Sequence, residues 1–412
     1  KAETMDNGTM RDYARLIAVM GANIQPGQDC YIEAELDQPE FITILAEECY
    51  KAGAAKVVVE WTHQPLTKLD AACQSDETLG RVEKWEEEKL CHQRDTLPAV
   101  IYIESEDPAG LDGIDQEKWA RAKQSRWKII KPIRDAMEDR HQWCIAAVPG
   151  RAWAKKMFPG MDTDDAIEAL WQAILTTSRA KNGAVENWRA HNRDLKARCA
   201  YLNGLDLRSL HYAAANGTDL TVGLIPGAKF MAGSDETLGT GVTYEPNIPT
   251  EEVFTSPMKG QAEGVVYSTR PLSYRGVMIE DFSVRFENGR AAEVHARKNE
   301  DALRAMITMD EGAAMLGECA LVPHDSPIRN SGLTFYNTLF DENAACHLAL
   351  GMGFCAVIPG YGALSLEECR AMGVNDSIIH EDFMIGCADL NITGVTADGR
   401  EVPIFKNGGW AF

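Results

Sequence analysis

No apolar run in the chain approaches the roughly 20 residues that cross a bilayer, and its start, KAETMDNGTMRDYARL, lacks the apolar core of a secretion signal. The first residue is Lys1 rather than Met, which leaves a processed or trimmed start open. No two cysteines form a CxxC pair. Their odd total of 11, scattered from Cys30 to Cys387, argues for reduced thiols in a cytoplasm over a disulfide framework. In that setting the Asn-x-Ser/Thr triplets at Asn7, Asn216, Asn375 and Asn391 are chance matches. Lysine and arginine are nowhere dense enough to offset a formal net charge of -21, which repels phosphate backbones and argues against nucleic acid as a partner. Internal repeats and low-complexity segments are also missing, which sets solenoids and linkers aside. So are a GxSxG elbow and an HExxH helix, the commonest serine-hydrolase and zinc-protease signatures. The GTG at 239–241 and the GMG at 351–353 lack a third glycine in register, and loop or helix ends explain them.

What is present is length and alternation. A chain of 412 residues, 45% hydrophobic, exceeds the roughly 250–300 residues of a single core, so two domains are expected. Tyr13, Leu16, Ile17 and Met20 fall at helical spacing before Gly21. CYIEAEL (30–36) reads as a strand, EFITILAEECYKAGA (40–54) as a helix ending near Gly53, and AKVVVEW (55–61) as a second, more buried strand. Further strands are expected at 98–105 and 143–149. Between them lie charged helical stretches such as RVEKWEEEKL (81–90), and Ile167, Leu170, Trp171 and Ile174 line one side of a later helix. This alternation predicts an α/β N-terminal domain, residues 1–215, with a largely parallel open sheet. Beyond it, Asn288-Gly289 and Asp398-Gly399 sit between alternating apolar runs as hairpin turns, and residues 216–412 read as a β-rich α+β domain.

The acids and histidines of that second domain carry the chemistry. PNIPTEEVFTSP (246–257) sets Glu251 and Glu252 among prolines that exclude a helix and beside a β-favouring Val253-Phe254-Thr255 run. In IIHEDFMIG (378–386) the strand period of two places His380 and Asp382 on one face, a nitrogen and oxygen donor pair suited to a metal or to a structural ion pair. Glu318 stands in the apolar MLGECALVP (315–323), where a carboxylate is costly without a cation or hydrogen bonds. In FDENAACHLALG, Asp341 reads as an N-cap, ENAACHLAL as a helix and Gly351 as its stop. Glu342 and His347 then lie about 140° apart around the helix. They serve one site if Glu342 sits in a frayed first turn, or two ions of a pair. Acids gathered this way repel unless positive charge lies among them, and two divalent cations suffice.

With these residues set out, the chain resembles the aminopeptidase T and aminopeptidase S family of two-metal metallo-aminopeptidases over nearly its whole length. The likeness is densest in NIPTEEVFTSP, RPLSYRGVMIEDFSVRF, GECALVPHDSPIRNSGLTFYNTLFDENAACHLALG and NDSIIHEDFMIG, and extends to AAVPGRAWAKKMFP and TDLTVGLIPG. The resemblance implies a dimeric exopeptidase that releases N-terminal residues from short peptides with a free amine. Its metals would be held by Glu252, Glu318, Glu342, His347, His380 and Asp382, with Glu318 as the bridge. Glu252 is chosen over Glu251 on ungapped spacing to Glu318. Zinc, cobalt, manganese or magnesium is the expected ion. Glu251 is expected as the general base or as the anchor for the substrate's α-ammonium, and the N-terminal domain as a cavity wall that limits access. One position departs from the family: where HLALGxAY is usual, this chain reads HLALGMGF, so Phe354 replaces a tyrosine that would hydrogen-bond a developing oxyanion. Tyr336 or Tyr361 could substitute. Two alternatives stand beside the peptidase: a mononuclear non-haem iron ring-cleaving dioxygenase using His347, His380 and Asp382, and a catalytically weakened peptide-binding homologue.

Overall fold

Alternating apolar stretches of the first half build a parallel sheet of β1 (Asp29–Glu35), β2 (Lys56–Thr62), β3 (Ala99–Glu104) and β4 (Trp143–Ala147), in the order β2-β1-β3-β4. The computed structural model describes residues 7–274 and 277–412. The opening KAETMD and Arg275-Gly276 of RPLSYRGVMIEDFSVRF lie outside the described residues. Between β1 and β2 runs the helix Pro39–Ala52, which starts on proline and ends at Gly53 in the left-handed region, as a parallel crossover requires. Its Phe41 and Leu45 are buried, and Phe41 packs with Tyr13 and Trp171 from helices Asn7–Leu16 and Thr163–Thr177. One expectation fails. The VVV-bearing β2 is half-exposed along its length, while β3 is largely buried. The cause is topological, since β2 is an edge strand with one partner and β1 and β3 occupy the middle.

Two compact units result, each drawing on separated stretches of chain. The first takes in the chain to Arg189 with Ser234–Pro249 and Thr334–Leu339; the second comprises Ala190–Gly233, Thr250–Leu333 and Phe340–Phe412. The second unit is strand-rich and antiparallel. Its nine-stranded sheet contains both expected hairpins. Glu287 faces Arg290 across Asn288 and Gly289, both at positive φ, the backbone that a tight primed turn demands.

A second sheet of this unit carries four strands in the order His380–Met384, His347–Gly351, Leu316–Leu321 and Val253–Thr255. Here the sequence expectation is corrected: ENAACHLAL is not a helix. A short helix, Thr338–Asp341, runs into a 3-10 turn, Glu342–Ala344, and His347 begins a fully buried strand between two others. Alanine and leucine suit a helix locally, but two neighbouring strands with unpaired edges satisfy this backbone better, and pairing overrides propensity. Gly351 ends that strand at φ 108, and a Cβ there would meet the Ile379 carbonyl oxygen at 2.1 Å. Asn375, within one of the chance triplets, is buried and donates to the Gly312 and Gly351 carbonyls.

Candidate metal centre

Strand alternation in the four-stranded sheet sorts its residues into two faces. Across the ladder Asp382 pairs with Ala349 and Ala349 with Glu318, while Gly351 pairs with His380 and Ala320 lies between His347 and Phe254. Residues directly opposite one another share a face, so Glu318, His347, His380 and Asp382 all project on one side, as does Glu252, two residues before Phe254. The positions between them on that face are Ala320, Ala349 and Gly351, too small to cover the polar groups. On the other face Val253, Cys319, Leu321, Leu348, Leu350 and Phe383 enter the core of the unit. The sheet thus binds its core with one face and holds acids and imidazoles on the other.

Distances define two overlapping groups. Glu252, Glu318 and His347 offer ligand atoms within 4.8 Å of one another, as do Glu318, His380 and Asp382. Glu318 belongs to both. His347 Nε2 lies 3.1 Å from Glu252 Oε2, and His380 Nε2 lies 3.1 Å from Glu318 Oε2 and 3.5 Å from Asp382 Oδ1. The far nitrogen of each ring faces a backbone carbonyl: His347 Nδ1 is 3.2 Å from Ala345 O and His380 Nδ1 2.7 Å from Met352 O. Those carbonyls accept only from N–H, so Nδ1 carries a proton in each ring and Nε2 is the nitrogen turned to the cluster, the atom a metal would take.

The electrostatics are those of acids deprived of water. Burial, reinforced by Glu252 and Asp382 and opposed by His380, raises the Glu318 pKa to about 7. Burial, reinforced by the charges of Glu252, Asp382 and Glu318, pushes Glu342 well above its usual value, and its carboxylate lies outside the two groups. Burial pulls both imidazoles down, but the surrounding carboxylates prevail, raising His347 well above its usual value and His380 to about 11. Asp382, raised by burial and lowered more by both histidines, ends below its usual value. Among the described residues the ion pairs of these acids are to imidazoles rather than to lysine or arginine. Asp382 Oδ1 is buried, and His380 Nε2, at 3.5 Å, pairs with it without completing a hydrogen bond. A buried carboxylate oxygen left without a hydrogen bond, a mixed nitrogen and oxygen donor set and a shared central carboxylate fit divalent cations.

Glu251 belongs to neither group. It is buried, with a carboxylate oxygen 3.8 Å from His191 Nε2, and its N–H donates to Asn343 Oδ1. Phe354 sits beside the cluster, its ring centroid 5.1 Å from that of His380 and 5.5 Å from Phe254. Tyr361 packs in the same small apolar cluster, whereas Tyr336 is an exposed residue of the first unit. Sequence reasoning missed His191 and Asn343. No motif marks them, because both act on backbone groups.

Comparison with known proteins matches residues 6–410 to the thermophilic metalloprotease (M29) family. Aminopeptidase AmpS of Bacillus subtilis (strain 168) is 40% identical over 405 residues, spanning 98% of either chain. Aminopeptidase T of Thermus thermophilus is 38% identical over 399 residues, 96% of this chain and 97% of that one. The solved structure of wild-type AmpT from Thermus thermophilus matches with a TM-score of 0.90 at 36% identity, over 98% of this chain and 99% of that one. A 2,5-dihydroxypyridine dioxygenase from Pseudomonas putida KT2440 matches at a TM-score of 0.53 and 14% identity, over 99% of this chain and 98% of that one, a likeness of fold alone.

Proposed function

The chain belongs to the thermophilic metalloprotease (M29) family and is a metallo-aminopeptidase acting on peptides, and from that premise we propose that it works with two divalent ions that share Glu318. The observation that carries this reading is the pair of overlapping ligand groups with Glu318 common to both. Glu252, His347 and Glu342 would hold one ion, and His380 and Asp382 would hold the other. Bound there, such ions supply Lewis-acid activation of a water and of the scissile carbonyl. The imidazoles suit zinc and cobalt best, and the carboxylates also suit manganese and magnesium. A single-iron dioxygenase would use His347, His380 and Asp382 and leave Glu252, Glu318 and Glu342 without a cation, so the ligand count favours the peptidase.

The chain's own residues select the substrate. A surplus of carboxylates favours the α-ammonium of a short peptide and disfavours a blocked N-terminus. Glu251 either accepts a proton at the reacting centre or anchors that ammonium. Glu251→Gln separates the roles, since loss of a base lowers kcat and loss of an anchor raises KM. We also propose a homodimer in a reducing cytoplasm, without membrane or nucleic-acid partners. Among the described residues no helix is long and apolar enough to cross a membrane.

Metal analysis coupled to hydrolysis of a panel of aminoacyl amides tests the reading in the parent and in Glu318→Gln. Two ions per chain and chelator-sensitive hydrolysis are expected in the parent. In the variant, activity should fall by more than the roughly 10–100-fold that losing an outer-shell partner costs. One iron per chain with oxygen uptake, or a fully active variant, would overturn it.

A further inference from the structure

Both polar atoms of one peptide group, that between Thr250 and Glu251, are held by side chains. The Thr250 carbonyl accepts from His191 Nε2 at 2.8 Å, and the Glu251 N–H donates to Asn343 Oδ1 at 2.7 Å. This peptide is trans, so its C=O and N–H point in opposite directions and the two side chains grip the plane from opposite edges. His191, Thr250, Glu251 and Asn343 are all buried, so water does not replace either bond without cost.

What this plane positions is the next residue. Glu252 follows it directly, and Val253 then enters the ladder opposite Leu321. Glu252 is therefore fixed between a clamped peptide and a paired strand, with its carboxylate 3.1 Å from His347 Nε2. Asn343 works in a second direction as well. It lies in the 3-10 turn next to Glu342, and its carbonyl accepts from Ser326 Oγ at 3.1 Å. One amide thus ties the Glu251–Glu252 corner to the turn that bears Glu342, joining segments about ninety residues apart in the chain, |i−j| = 92 for the bonded pair.

We propose that His191 and Asn343 are positioning residues that, through the Thr250–Glu251 peptide, hold Glu252 and Glu342 at the separation required by the ion on the His347 side. The proposal rests on the two-ion reading above. Neither residue is a ligand, and neither touches the reacting atoms; they act by limiting how far the ligand-bearing corner can drift. A ligand held in advance loses less freedom on binding its ion, and outer-shell partners of metal ligands commonly matter 10–100-fold in affinity.

Cobalt(II) titration of the full chain, read by calorimetry and by the visible absorption of the bound ion, tests this in the parent, His191→Leu, His191→Gln, Asn343→Ala and Asn343→Asp. His191→Leu and Asn343→Ala should each weaken one of two ions about 10–100-fold and leave the other unchanged. His191→Gln keeps an N–H donor and Asn343→Asp an oxygen acceptor, and both should recover most of the loss. The clamp is overturned if the Leu and Ala variants bind both ions as the parent does, or if both ions weaken together without recovery in Gln and Asp. Because the two residues come from separate elements, a variant that does not fold leaves the other pair to decide. A parent that binds fewer than two ions overturns the two-ion reading itself. A parent that binds two while the variants match it overturns the clamp alone.

Discussion

Carboxylates crowd two places in this protein, the C-terminal ends of the parallel strands in the first unit and one face of the four-stranded sheet in the second, and the company they keep differs. Glu35 accepts from Thr62 Oγ1 at 2.9 Å and from the Gln64 N–H at 2.7 Å. Asp37 accepts from Ser105 Oγ, Glu104 from Asn337 Nδ2 and Glu106 from the Ser105 N–H. Each of these acids is answered by a hydroxyl or amide of the fold. In the second unit Glu252, Glu318 and Asp382 gather around one another and two imidazoles. The C-terminal ends of parallel strands are the usual place for a ligand in an open α/β sheet. Yet among the described residues the metal-competent groups lie on the antiparallel sheet. An acid whose partners are donors needs no cation; an acid whose partners are other ligands does.

That contrast can be broken by matched substitutions. Glu318→Gln should remove activity and the binding of both ions, while Glu35→Gln should leave kcat and KM at parent values; peptidase assays and metal counts on the two proteins check this, and equal losses would dissolve the distinction. Removing metal comes next in size. A ligand at about 100 times its Kd stabilises by about 2.7 kcal/mol, which corresponds to roughly 5–10 °C in Tm for a unit of this size. Chelation should shift by that amount the calorimetric transition that Glu318→Gln also lowers, and should not move one sensitive to Glu35→Gln.

Phe354→Tyr sharpens the comparison from within the second unit. Its ring lies against His380, so a phenol placed there has a route to the developing oxyanion. Such a donor is typically worth about 10²–10³ in rate, and an increase in kcat of at least tenfold, with metal content constant, is the expected result of steady-state kinetics. No increase would mean that another group already donates.

Asp310 offers a smaller test that joins both kinds of acid. It lies in the second unit but is satisfied as Glu35 is, accepting from the Ala313 and Ile378 N–H groups and from Ser377 Oγ. Burial raises its pKa, but these bonds prevail and hold it below the usual 3.8. A depressed carboxyl contributes stability above its unfolded pKa and loses it as pH falls through the folded one. Asp310→Asn should therefore cost about 1–2 kcal/mol at neutral pH, and the gap to the parent should close below about pH 4 in urea melts. Glu35→Gln, the smallest effect, should cost about 1 kcal/mol without touching metal binding.

The sequence makes the framework legible where the signal is local. Period and turn chemistry place the strands of the parallel sheet and the Asn288-Gly289 hairpin, because each is encoded within a dozen residues. What fails depends on partners distant in the chain. The edge position of β2 follows from strand order, and the strand at His347 follows from the two strands that flank it. Misreading that strand as a helix also created the angular conflict between Glu342 and His347, which vanishes once one sits on a turn and the other on a strand. Within the site, the alternation of His380 and Asp382 is visible in three letters. The choice between Glu251 and Glu252 is not, because it depends on which neighbour the Thr250–Glu251 plane turns toward His347.

Anomalous diffraction from crystals grown with zinc or cobalt tests the central claim most directly. The account predicts two peaks per chain flanking the Glu318 carboxylate, one beside Glu252 and His347 and the other beside His380 and Asp382. A single peak bound by His347, His380 and Asp382 alone, or no peak with those side chains turned apart, would contradict it.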